Sequence, residues 1–388
     1  MTKPIRVAPA IEILSLPDSP WIKSAEERAD MTLICKDGDN IPRVKEAGKS
    51  QVIDGQAVQI MHNGIKVLKG GYQGDWQARV IEGLNGIHEP QEEKVFYETL
   101  KLIQPGGTMM ELGSWWAYYS MWFLKSVKDS KAYCCEPDPD NLELGKNNVM
   151  LNNLQIDKQI YFYQYAAGKD DKQLIDFETI KRGVQQVPIR TVDSIVAQER
   201  IDKLDILHLD IQGVELDALK GARQSIETGK IRFVFVSTHH YAISCDPAMH
   251  QKCLDYIRSL GGHIIAQHTV LESYSGDGLI VASFDKTDKD FKVTISRQLV
   301  ENSLFRNSDL DVDILWQSHD DLVNRIIELD KANQELIKAN QELQTAISSA
   351  QAQLDNVSAF LEEITPLRKH IKRQLKARMH KKPTEQNS

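Results

Sequence analysis

The chain has 388 residues, 41% of them apolar and 26% charged, too long for one small domain and rich enough to bury a large core. Its 47 Lys and Arg against 55 Asp and Glu leave −8, so no nucleic-acid partner is expected, although residues 366–388 hold eight Lys/Arg and one Glu and the rest carries −15. Five cysteines (Cys35, Cys134, Cys135, Cys245 and Cys253) show neither CxxC nor zinc spacing. With no signal-peptide pattern and no apolar run of roughly 18 residues, the expected setting is the reducing cytoplasm.

Residues 1–30 read as a weakly patterned arm, and 31–80 hold strand-like runs (QAVQIM, IKVLKG) broken by Asp-Gly and Asn-Gly turns. An N-terminal region 1–89 with a small β element or lid is expected. PQEEKVFYETLKLIQ (90–104) predicts a helix: Pro90 and the acids after it suit a first turn, and Val95, Phe96, Leu100 and Ile103 share one face. From Gly106, strand-like runs alternate with helical ones: TMMEL, KAYCCE, QIYFYQY, KLDILHLD, IRFVFVS, HIIAQHT and GLIVASF. That alternation predicts a largely parallel sheet with both faces covered. The Ser-Gly-Asp-Gly connection before the last run is too short for a crossover helix, so the last strand is expected to be antiparallel. The fold class is thus α/β, a Rossmann-like seven-stranded sheet with an antiparallel last strand over 90–285. It fits the methyltransferase type better than a dinucleotide dehydrogenase.

Residues 286–321 read as an acidic linker, with Asp309, Asp311, Asp313, Asp320 and Asp321. Then Leu322, Leu329, Leu336, Leu343, Ala350, Val357 and Ile364 recur every seventh residue. Ile326, Asn333, Asn340, Ile347, Leu354 and Leu361 form the second row. This predicts a coiled coil over 322–365, and the Asn pair at successive core positions suits a parallel dimer better than a trimer. After Pro366, Leu367, Ile371, Leu375 and Met379 lie four apart among basic residues. That pattern over 366–382 is expected either as a solvated basic end or as an interfacial helix on an anionic membrane surface.

Chemistry gathers at the carboxyl ends of the strands. Glu111-Leu-Gly113-Ser114 and Tyr119-Ser120 bracket the first strand–helix turn. Glu136-Pro137-Asp138, with Asn141, ends the second strand, where an acid can accept both hydroxyls of a ribose. Tyr165-Ala166-Ala167-Gly168 ends the third, placed to flank an adenine. Asp210-Ile-Gln212-Gly213-Val-Glu215 ends the fourth, and His239-His240 follow the fifth. Asp210 should share a crevice with one histidine. Either His239 or His240 is a candidate general base, and Asp210, Glu215 and His239 are an alternative set for a divalent cation such as Mg²⁺. Upstream, His88, Glu89 and Glu92 are candidates for the substrate side.

In this order and over roughly 90–285, these residues resemble the FkbM-type S-adenosylmethionine-dependent methyltransferases. The likeness also includes Asn148, Asn152-Asn153-Leu154, Arg190-Thr-Val-Asp193 and Leu219-Lys-Gly-Ala222. The resemblance implies S-adenosyl-L-methionine as cofactor, with Glu111 and Gly113 beside its methionine part, Glu136 on its ribose and Asp210 facing its sulfonium. Ser114, Tyr119, Ser120, Pro137, Asn141, Ala166 and Ala167 complete the cofactor set. It implies O-methylation of a sugar, glycan or natural-product hydroxyl. His208 stands where Lys is usual and Gln212 where Glu is usual, Ala117 replaces a glycine, and Trp115-Trp116 replace smaller residues. Those departures keep a second reading open, a non-catalytic coiled-coil scaffold with a degenerate head. An NAD-linked oxidoreductase would need more glycines than Gly113 alone.

Overall fold

The computed structural model describes residues 23–179, 181–299, 302–305 and 310–379. Most of the expected arm, residues 300, 301 and 306–309 of the linker and the last nine residues of the basic tail lie outside them. The chain divides into two units at residue 317/318.

The first unit opens with α1 (Ala25–Leu33), started by a capping box: Ser24 N donates to Glu27 Oε2 at 2.8 Å and Glu27 N to Ser24 Oγ at 3.3 Å. A three-stranded antiparallel sheet follows, β1 (Ser50–Ile53), β2 (Gln56–Ile60) and β3 (Lys66–Leu68). Its first hairpin turns at Asp54-Gly55, both left-handed (φ 48° and 78°), as a two-residue turn between twisted strands requires. Then come α2 (Asp75–Gly83) and α3 (Pro90–Leu100). The predicted helix is present with Pro90 at its start, and Val95, Phe96, Leu100 and Ile103 are all buried.

The remaining elements of this unit build the main sheet and its cover. In order they are β4 (Thr108–Leu112), α4 (Tyr118–Ser126), β5 (Lys131–Cys135), α5 (Pro139–Leu151) and β6 (Ile160–Tyr163). A second small sheet follows, β7 (Ala166–Ala167), β8 (Lys172–Thr179) and β9 (Gly183–Arg190). After it come α6 (Val192–Gln198), β10 (Leu204–Leu209), α7 (Glu215–Gly221), α8 (Arg223–Glu227) and β11 (Ile231–Thr238). The last are α9 (Tyr241–Ser244), α10 (Met249–Ser259), β12 (His263–His268) and β13 (Gly278–Ser283). All seven expected strands pair in one sheet in the order β12-β13-β11-β10-β4-β5-β6. Its pairs are parallel except those of β13, which runs antiparallel to β11 and β12.

Alternation along each strand gives two cores. Met109, Ala132, Cys134, Ile206, Phe233 and Phe235 face one side, with α3, α4 and α5. Met110, Leu112, Cys135, Leu207, Leu209, Val234 and Val236 face the other, with α6, α7 and α10. The small N-terminal sheet is tied to α5 by side chains that mimic a strand. Asn152 exchanges two hydrogen bonds with the backbone of Lys66 (2.9 and 2.7 Å), and Asn148 accepts from Leu68 N at 2.9 Å. At the rim, Arg182 grips Asp140 bidentately at 2.7 and 3.1 Å, tying the β8–β9 hairpin to the first turn of α5. The linker is not free chain throughout: Val293 and Phe305 are buried, and Ser296 N donates to Asp37 at 2.8 Å.

The second unit is helical. Its described residues belong to α11 (Leu310–Met379), which runs through Pro366 without ending, so the stretches expected as coiled coil and as basic tail form one helix up to Met379. Proline removes one backbone donor and crowds one carbonyl, and the helix tolerates this locally. Along it, Leu329, Leu336, Leu343, Ile347, Leu354, Val357 and Leu361 are each more than half exposed. No helix among the described residues is long and apolar enough to cross a membrane.

Candidate functional site

The chain leaves β4 toward β5 and β6 and later returns to the opposite side of β4 with β10. Strand ends diverge at such a reversal, and ligands of open α/β sheets bind in the gap. A cavity lies there. Leu112, Gly113 and Trp115 line it from β4, Glu136, Pro137, Asp138 and Asn141 from β5 and α5, and Asp210, Ile211 and Gln212 from β10. Tyr165, Ala166 and Ala167 line it beyond β6, and Ile175 and Phe177 of the β8–β9 hairpin form an apolar wall.

Glu136 is the polar centre of this cavity. It is 5% exposed. Its Oε2 accepts from Trp115 N at 3.0 Å and its Oε1 from Asp138 N at 2.9 Å. The Asn141 side chain also approaches it as a donor, and the remaining acceptor capacity suits a ligand hydroxyl. Burial pushes its carboxyl up to about 7, against the pull of those two amides. The turn it holds is strained: Gly113, Trp115 and Ala117 have φ of 77°, 35° and 58°. Gly113 is demanded by the protein itself, because a Cβ there would stand 1.7 Å from the carbonyl oxygen of Asp210.

Of the residues expected around a cofactor, Gly113, Glu136, Pro137, Asn141, Ala166 and Ala167 line the cavity. Glu111, Ser114, Tyr119 and Ser120 do not. Glu111 points to the other face of β4 and accepts from Ser120 N at 3.0 Å, and burial lifts its carboxyl to about 7. Ser120 Oγ accepts from Cys134 Sγ at 3.2 Å, and Tyr119 donates to Glu89 at 3.1 Å. Ser114 is 1% exposed. These four brace the wall behind the cavity.

Beside the cavity lies a buried polar cluster. His239 is 3% exposed. Its Nδ1 faces Glu215 Oε1 at 2.7 Å, and its Nε2 faces Asp210 Oδ1 at 3.2 Å and Asp277 Oδ1 at 3.6 Å. Burial opposes its charge, but Glu215, Asp277 and Asp210 raise its pKa well above the ordinary value. Gln212 also meets Nε2 at 2.9 Å, so both ring nitrogens of this candidate general base are already engaged within the protein. The ring of His240 stacks on Phe305 at 3.7 Å. The expected metal set fails on geometry: Glu215 and Asp210 sit at opposite ring nitrogens of His239, and Glu215 Oε1 also accepts from Gly213 N. Among the described residues, no group of three His, Cys, Asp or Glu side chains is arranged to hold a metal ion.

Asp277, which sequence reasoning missed, enters from the β12–β13 loop. It is gripped by Arg28 of α1 at 3.3 Å. Burial lifts its carboxyl to about 6, with His239 and Arg28 pulling the other way. The substrate-side candidates join a second chain of contacts. His88 is boxed by Tyr72, Trp116, Tyr118 and Tyr119. It lies 2.6 Å from Glu93 and 3.2 Å from Glu89. Burial disfavours its charge, yet those carboxylates raise its pKa to about 10. Glu92 is held by His208 at 2.6 Å and by Ser237 at 2.9 Å. It therefore braces the interior between α3 and the sheet, and His208 has a fixed partner in place of the usual lysine.

Strand order, the antiparallel β13 and a cavity lined by a buried carboxylate at the strand ends define a Rossmann-like domain of the methyltransferase type. Residues 103–264 match the Methyltransferase FkbM domain, so the chain carries an FkbM-type methyltransferase domain in that span. Over 199 residues it is 22% identical to the 2-O-methyltransferase NoeI of Sinorhizobium fredii, covering 44% of this chain and 79% of that protein. Among solved structures it is similar to methyltransferase FkbM from Methylobacillus flagellatus KT (20% identity, TM-score 0.37, 54% of this chain). The match spans only 55% of that chain. It is also similar to an S-adenosylmethionine-dependent methyltransferase from Aquifex aeolicus (12% identity, TM-score 0.31, 50% of this chain and 89% of that one).

Proposed function

We propose that this chain is an S-adenosylmethionine-dependent O-methyltransferase acting on a hydroxyl of a sugar, glycan or glycosylated natural product. The observation that carries the reading is Glu136, a buried carboxylate just after β5, in a cavity that Ala166, Ala167, Ile175 and Phe177 close on one side with apolar surface. S-adenosylmethionine fits these residues: Glu136 would hold its ribose, and Ala166, Ala167, Ile175 and Phe177 would enclose its base. When bound, it supplies an activated methyl group. The NoeI relative, by its name a 2-O-methyltransferase, supports an oxygen acceptor.

An alcohol is a poor nucleophile until its proton is taken. Asp210 and Asp277 share His239 Nε2 and keep 24% and 21% side-chain exposure, so they are the carboxylates able to meet an acceptor hydroxyl and take that proton. His239 positions both. Titration calorimetry with S-adenosylmethionine should give saturable binding, and a methyl-transfer screen over glycosides should find a labelled product. A chain that binds no cofactor is the scaffold of the second reading.

We also propose that α11 pairs in parallel with a second copy, Asn333 against Asn333 and Asn340 against Asn340, and that its basic end rests on an anionic membrane at the cytoplasmic face. The support is its uncovered apolar rows, which continue beyond Pro366 as Leu367, Ile371 and Leu375, each at least half exposed. Light scattering on the full chain should give two chains per particle, and phosphatidylserine vesicles should retain it. A monomer removes the first reading, and no retention removes the second.

A further inference from the structure

Tyr72 stacks on Trp116 (ring centroids 4.5 Å apart, planes 3° apart) and meets Trp115, which lines the cofactor cavity, edge-on at 5.0 Å. Its phenol is pushed well above its usual range by burial and then by Glu89, Asp210 and Asp277. Asp210 and Asp277 meet at His239 Nε2, and Glu89 lies 3.2 Å from His88, whose ring meets Tyr72 edge-on. The three carboxylates are also the cluster's partly open edge: Glu89 is 13% exposed, Asp210 24% and Asp277 21%, against 0–1% for Glu93, Glu215, His88 and His239. Five carboxylates (Glu89, Glu93, Asp210, Glu215 and Asp277) face three basic side chains (His88, His239 and Arg28), so acids are in excess even with both histidines protonated.

A second observation is independent of the carboxylates. Arg28 is 5% exposed, packed 4.7 Å over Trp76. Its Nε donates to Ser275 O and its NH2 to Asp277, while NH1 has no hydrogen-bond partner. A buried guanidinium donor left open beside a carboxylate is a mismatch within the protein alone. Arg28 holds Asp277 from behind, and a hydroxyl suits the open edge because it can donate to Asp277 or Asp210. A carboxylate or phosphate ligand must sit against Asp277, Asp210 and Glu89.

We propose that the acceptor ring is a neutral or amino-substituted polyol, with no anionic group near the methylated hydroxyl, and that Asp277, held by Arg28, enforces this choice. The inference rests on the methyltransferase reading and narrows its acceptor class. Discrimination comes from like-charge repulsion in a partly desolvated crevice, where it is stronger than in bulk water.

The test uses the full chain with S-adenosylmethionine and three probes: methyl glucoside, its 2-amino analogue and methyl glucuronide. Expected is a kcat/KM for the glucuronide at least about tenfold below the other two, narrowing as salt is raised. Asp277→Asn should shrink that ratio at least threefold, with cofactor affinity serving as the check on folding. The salt dependence in the unmodified protein decides the matter if the variant does not fold. A glucuronide used as well as the neutral sugar overturns the inference and leaves the methyltransferase reading standing. Cofactor binding without methylation of any glycoside removes the sugar acceptor, and this inference with it. No cofactor binding removes the enzyme altogether.

Discussion

Glu136→Gln is expected to raise the dissociation constant for S-adenosylmethionine by about 10–100-fold, the worth of charge-assisted hydrogen bonds to two hydroxyls. Gln keeps one acceptor oxygen, so either Trp115 N or Asp138 N also loses its partner. The effect on pH dependence is the sharper sign. Burial holds the Glu136 carboxyl near 7, so much of the free protein carries it protonated in mildly acid solution. The ribose hydroxyls need the ionised form as acceptor. Affinity should therefore strengthen as pH rises through about 7 and level off above it, and be about tenfold weaker one unit below. Calorimetry across this range should show proton release on binding in the unmodified chain and a flat profile in Glu136→Gln. A steep profile in the variant would place the titrating group elsewhere.

Gly113→Ala is expected to cost about 3 kcal/mol or more, because its Cβ would stand 1.7 Å from Asp210 O at a left-handed φ of 77°. Neither atom belongs to a flexible side chain, so β4 and β10 must part and the cavity between them opens. Gly106→Ala is the matched control. Its φ is +84°, and a Cβ there meets nothing within 4 Å. It carries the conformational penalty alone, about 1 kcal/mol. Urea unfolding of both variants isolates the close approach as the difference. Equal losses would show that backbone strain alone sets the cost.

The inner strands β4, β5, β10, β11 and β13 were legible because nearly all their residues are buried and read as apolar runs between turn signals. The β8–β9 hairpin was missed: its strands are mostly exposed, Pro188 lies inside β9, and its residues are polar enough to pass for a loop. Glu136 and Asp210 could be found from their places at strand ends. Asp277 and Arg28 could not, since one lies in a Ser-Gly-Asp-Gly stretch that reads only as a turn and its partner is 249 residues away. Two adjacent histidines looked equivalent, and only their neighbours separate them, carboxylates around His239 and a phenyl ring against His240. Glu111 was placed by strand position alone. Alternation sends its side chain to the opposite face from Leu112.

The grip of Arg28 on Asp277 carries a timetable. Translation at roughly 5–20 residues per second puts about 10–50 s between the emergence of the two. Every strand that frames the nucleoside pocket has been made by residue 209, yet α1 must wait for the loop ahead of β13. On the proposed reading, a nascent chain stalled in that interval would own a place for the methyl donor before it owned the wall that chooses the recipient.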